Sequence, residues 1–122
     1  PGASAYLLAD LVTYANEAKQ KFLGVSSELL ARHGAVSEEC VRAMAEGARA
    51  AAGATFALAT TGIAGPAGGT VDKPVGTVYL AVTDGRETRI EHFCWPGPRL
   101  LFKERVAQFG LNLLRKFLLA EK

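Results

Sequence analysis

Tyr14-Ala15-Asn16-Glu17-Ala18-Lys19 sets a phenol, an amide and a primary amine within six residues. Asn16 and Lys19 are three apart, so they are neighbours on one face once a helix has begun. A lysine at a helix start lies near the positive end of the dipole, and partial desolvation there favours the neutral amine. Such an amine is a general base able to take the proton of a hydroxyl nucleophile. The string also fits plainer use, with Asn16 capping the helix, Lys19 solvated and Tyr14 in the core.

The second chemical stretch is residues 60–77, TTGIAGPAGGTVDKPVGT, which holds five glycines and two prolines. Apolar runs at 54–59 and 78–82 flank it, so it reads as a loop between two buried strands. Exposed N–H groups in a glycine-rich loop can hold a phosphate or a developing oxyanion. A flexible connector has the same composition. The spacing matches neither a P-loop nor a dinucleotide-binding turn.

The remaining polar residues are less pointed. His33 beside Gly34 fits a helix C-terminus, and His92 a solvent-facing place on an edge strand. Asp10 and Asp72 read as surface carboxylates without an acid/base partner. Ser4 sits in a turn-like entry. Arg99, Lys103 and Arg105 open the last helix, as an anion site or as a solvated face. Cys40 and Cys94 form no CxxC and no Cys/His cluster, which suggests two reduced thiols and no metal centre.

The elements that must position these residues follow from periodicity. Residues 6–14, YLLADLVTY, fit a strand or a short buried helix, and the Val12-Thr13-Tyr14 end favours the strand. A helix starts at Asn16 and stops at Gly24, a short one opens at Ser26-Ser27-Glu28, and Ser37 caps a third. In the third, Val41, Met44, Ala45, Ala48 and Ala52 recur at helical spacing. Asp84-Gly85 signals a hairpin into an alternating strand at 87–95, and Trp95 packs on the sheet. A long amphipathic helix over 98–120 turns Leu101, Val106, Phe109, Leu113 and Phe117 inward. Helices interleaved with strands predict an α/β layered domain, its sheet mostly parallel with one antiparallel hairpin.

Composition bounds the function. At 122 residues, 49% hydrophobic and with a net charge of +2, the chain is one domain without the basic footprint of nucleic-acid binding. It has neither a run of about 20 apolar residues nor a signal peptide, so neither membrane nor secretion is indicated and the cytoplasm is expected. The start at Pro1 rather than Met suggests a fragment or a processed product.

TGIAGPAGG followed by KPVGTVYLAV, together with YANEAKQKFLGV, HGAVSEE and Gly97-Pro98-Arg99 in the same order, resembles the CinA C-terminal domain family, the nicotinamide-nucleotide amidohydrolases. The resemblance spans nearly the whole chain. It implies a three-layer α/β/α sandwich in a cytoplasmic hydrolase that converts nicotinamide mononucleotide and water to nicotinic acid mononucleotide and ammonia. No cofactor or metal is implied, and the partner is a small pyridine nucleotide. In the family a serine of an ESxTGG motif is the nucleophile, activated by the Tyr and Lys of YxNxxK. These two map to Tyr14 and Lys19, with Asn16 in the Asn position. Thr61, Gly62, Ala64 and Gly65 would supply main-chain donors near the amide or phosphate, and Arg99 would take the phosphate. No ESxTGG occurs in the 122 residues, so the single domain 1–122 is expected to lack the family's first helix and central strand. An uncovered sheet edge invites pairing with another chain, so a homodimer or higher oligomer is expected.

Overall fold

Local signals set the helix boundaries in the computed structural model, which describes residues 1–120. The helices are α1 (Asn16–Leu23), α2 (Ser27–His33), α3 (Glu38–Ala52) and α4 (Arg99–Ala120). Ser26 and Ser37 cap α2 and α3, their hydroxyls accepting the N–H groups of Leu29 and Cys40. Each bond satisfies a backbone donor that the first turn leaves free. Gly24 ends α1 in the left-handed conformation that glycine adopts without strain. The residue before α1 is Ala15, without a side-chain cap, and Asn16 is the first helical residue.

Three strands form one sheet in the order β1-β2-β3: Ala57–Gly62, Thr77–Thr83 and Thr88–Cys94. Both pairings are antiparallel. The expectation of a mostly parallel sheet is therefore corrected while the α/β class stands. Parallel neighbours need a crossover, usually helical, whereas the glycine loop brings the chain back beside β1 without one. Ile63 N–H donates to Thr77 O at 2.9 Å and Gly76 N–H to Ile63 O at 2.8 Å, which extends the ladder into the loop. Asp84 Oδ1 accepts the N–H groups of Arg86 and Glu87 and closes the β2–β3 turn.

Helices cover both faces of the sheet. On one face Cys40, Val41, Met44 and Ala45 of α3 pack with Ala59, Ala81, Leu23 and Val25. On the other, Phe102, Val106, Leu113 and Phe117 of α4 meet Val78, Leu80 and Val82, with Trp95 against the same cluster. Central β2 is almost wholly buried, as expected of a strand sandwiched between two layers. The inward stripe of α4 runs through Phe102, Val106, Gly110, Leu113 and Phe117. Leu101 and Phe109, expected inward, are instead 42% and 37% exposed. Phe102 takes the buried place because it lies four residues before Val106 on the same face.

The strand expected over 6–14 is not formed. Tyr6, Leu7, Leu8, Leu11, Val12 and Tyr14 are exposed, and no sheet strand pairs with the segment. Apolar β-type residues make a strand only beside a hydrogen-bonding neighbour. Ahead of them Ala3–Ala5, with Ser4 in the middle, form one 3-10 turn.

Candidate active site

Arg99, the first residue of α4, joins two segments far apart in sequence. Its guanidinium donates to Gly65 O at 3.0 Å and to the Tyr14 hydroxyl oxygen at 2.9 Å. The rest of its five N–H donors are free to face a ligand. The turn before α1 and the glycine loop therefore meet at one cation. Gly65 takes part through its carbonyl and not as a donor, and its left-handed φ of 78° aims that carbonyl where few other residues could.

Lys19 lies on α1, five residues beyond Tyr14. It is 7% exposed, and its Nζ donates to Thr13 O at 2.6 Å. Thr13 precedes Tyr14, so a short chain of contacts runs from the amine through Thr13, Tyr14 and Arg99 to Gly65. Lys19 is buried, whereas Asn16, one turn earlier at the start of the helix, is exposed. Lys19 and Lys73 both lie close enough to Cys40 for their charge to lower its thiol pKa. Burial outweighs them, and the thiol is held above its ordinary value.

The loop residues divide between structural and open roles. Thr61 and Gly62 belong to β1, paired with Tyr79 and Val78, and are not loop residues. The Thr61 hydroxyl donates to Ala35 O at 2.8 Å, which ties the strand to the segment leading into α3. Ala64 packs against the α4-side core. Gly62 tolerates no larger residue, since a Cβ there would lie 2.8 Å from Thr77 O. Sequence reasoning passed over Lys73 as chemistry. Its Nζ donates to His33 O at 3.0 Å, which ties the glycine loop to the end of α2. A lysine within a glycine-rich loop was the available signal.

The other candidates scatter. His33 ends α2 as expected, but its Nδ1 also lies 3.6 Å from Glu39 Oε1. His92 stacks on Tyr79 from the neighbouring strand. Arg105 lies over the Trp95 ring, 5.9 Å from its centroid. Among the described residues no His/Cys/Asp/Glu group suits a metal ion, and no helix is long and apolar enough to cross a membrane.

A buried amine, an exposed phenol and an arginine thus stand near a glycine-rich turn on an α/β frame. A family model described as the CinA C-terminal domain matches residues 1–118, and the chain belongs to that family. A CinA-like protein of Citrifermentans bemidjiense is 53% identical over 121 residues, 99% of this chain and 29% of that protein. Another, from Anaeromyxobacter dehalogenans, is 54% identical over 115 residues, 94% of this chain and 28% of its own length. The chain thus spans less than a third of these curated relatives. Among solved structures, the competence damage-inducible protein A of Klebsiella pneumoniae superposes with a TM-score of 0.83 at 39% identity, covering 88% of this chain and 66% of that one. A CinA superfamily protein of Escherichia coli gives a TM-score of 0.83 at 34% identity, over 87% and 62%.

Proposed function

We propose that this chain supplies most of the active site of a cytoplasmic nicotinamide mononucleotide amidohydrolase working in pyridine nucleotide salvage. Family membership supports the reading, and the observation that carries it is the meeting of Tyr14 and Gly65 at Arg99, with the buried Lys19 amine tied to the neighbouring Thr13 carbonyl. The attacking hydroxyl is the serine of the family's ESxTGG motif, a string absent from these 122 residues.

The serine oxygen adds to the carboxamide carbon while its proton passes to the Lys19 amine, with the Tyr14 hydroxyl relaying or orienting it. Main-chain N–H groups of the glycine loop stabilise the oxyanion, and Arg99 holds the nucleotide phosphate. Collapse returns the proton to the leaving nitrogen and releases ammonia. Water then attacks the acyl carbon, loses a proton to Lys19 and frees nicotinic acid mononucleotide and the serine. No metal or cofactor is required.

Ammonia release by the C. bemidjiense relative, of which this chain matches 29%, tests the reading. Replacing its counterpart of Lys19 by alanine should lower turnover at least about 100-fold, the usual weight of a general base. Undiminished turnover removes Lys19 from the mechanism. A second reading, motivated by the missing motif, makes the chain by itself a nucleotide-binding or assembly module. Calorimetry of this chain with nicotinamide mononucleotide separates the two: binding without turnover favours the module, and no binding counts against both.

A further inference from the structure

A second cleft lies apart from the Tyr14–Arg99 junction, between the end of α2, the start of α3 and the surface of β2 and β3. Its volume is about 520 Å³, and Arg32, His33, Glu39, Lys73, Tyr79 and His92 are among its walls. That size lies within the roughly 300–1,000 Å³ of small-molecule sites. One wall is flat: the His92 imidazole lies on the Tyr79 ring with centroids 4.2 Å apart and planes 3° from parallel. The cross-strand pairing of these two residues fixes that stack. Tyr79 is half-buried and His92 exposed, so the platform is anchored on one side and open on the other.

Both signs of charge line the cleft, Arg32 and Lys73 with Glu38 and Glu39. Of its acids, Glu38 lies 3.9 Å from Arg42, outside the cleft, and Glu39 lies against His33. Arg32 and Lys73 have no carboxylate within ion-pair distance among the described residues. Lys73 is held in place by the His33 carbonyl. Two cations outside any ion pair among the described residues therefore stand beside an aromatic platform at the N-terminal end of a fifteen-residue helix. We propose that this cleft binds a planar-ring anion of nucleotide size, its phosphate or carboxylate held by Arg32 and Lys73 and its ring stacked against the Tyr79–His92 pair. Arginine and lysine both suit such a group, and an imidazole face stacks on any flat heterocycle.

The chain has two histidines, and both line this cleft. Their imidazole C2–H proton signals therefore report on it directly, whatever happens at the Tyr14–Arg99 junction. Titration with adenosine monophosphate should move both signals saturably, with a dissociation constant below about 1 mM. Adenosine and inorganic phosphate, each carrying half of the chemistry, should bind at least about tenfold more weakly, and benzoate in their place tells carboxylate from phosphate. Arg32→Ala, an exposed position, should weaken binding about tenfold, the weight of one charge-assisted contact. Glu39→Gln should tighten it, because removing a nearby negative charge favours an anion. Signals that stay fixed up to 10 mM nucleotide, equal binding of adenosine, undiminished binding by Arg32→Ala, or weaker binding by Glu39→Gln would each overturn the proposal.

Discussion

Lys19 shows how much one side chain depends on where its helix begins. Its side chain is buried, and its amine reaches back six residues to the Thr13 carbonyl. Lys19→Ala removes that packing and leaves a buried carbonyl unpaired, a loss of about 1–3 kcal/mol measurable by denaturant unfolding. A variant as stable as the parent would mean that the Thr13 contact is not made in solution. The two thiols make a separate prediction. Cys40 is fully buried with a raised pKa, whereas Cys94 is exposed. The thiolate is the reactive form, so at pH 8 a disulfide reagent should titrate one cysteine in the folded protein and two after unfolding. Because folding raises the Cys40 pKa, the folded state binds that proton more tightly than the unfolded one. The resulting stabilisation is present below the ordinary thiol range and fades as pH rises through and beyond it. Two fast equivalents in the native protein would contradict this placement.

At the scale of elements, the closest approach is between α1 and α3. A Cβ placed on Gly47 would lie 1.7 Å from Leu23 O, a backbone atom that no rotamer change can move. Gly47→Ala should therefore cost more than about 3 kcal/mol, although glycine to alanine in an open helix gains about 1 kcal/mol. Gly110 in α4 supplies the contrast: its added Cβ would meet Leu58 Cδ2 at 3.3 Å, the end of a flexible side chain. There the helix preference and the small displacement nearly cancel, within about 1 kcal/mol. Equal effects at the two glycines, read from urea midpoints, would show that α1 does not sit against α3 in this way. Gly47 is also what lets α1 lie close enough to turn Lys19 inward.

At the scale of the whole molecule, apolar surface is left uncovered. Tyr6, Leu7, Leu8, Leu11 and Val12 are exposed on the segment before α1, as are Leu100, Leu111, Leu118 and Leu119 on α4. Among the described residues, β1 has β2 on one side and no strand on the other. An unpaired edge beside apolar surface favours association, so light scattering at micromolar concentration should give a mass above the 12.9 kDa of one chain. A mass of one chain throughout that range would contradict it.

Much of the fold was legible because it rests on local rules. The serine caps of α2 and α3, the glycine end of α1 and the small-residue face of α3 each depend on a few neighbouring residues. The family was legible for a similar reason, since the glycine string and the YxNxxK spacing are short and contiguous. Residues 6–14 and the stripe of α4 were misread because apolar content does not say which partner an element finds. Strand direction was missed because a loop of this length can close an antiparallel return or a crossover, and composition does not choose between them. By itself, then, the sequence determined most helix ends and the family, both carried by short contiguous signals. Only the tertiary structure decided that Arg99, 85 residues from Tyr14, closes the junction with Gly65, and that two unremarked histidines share a second cleft. Such pairings depend on how layers stack, and no spacing along the chain encodes them.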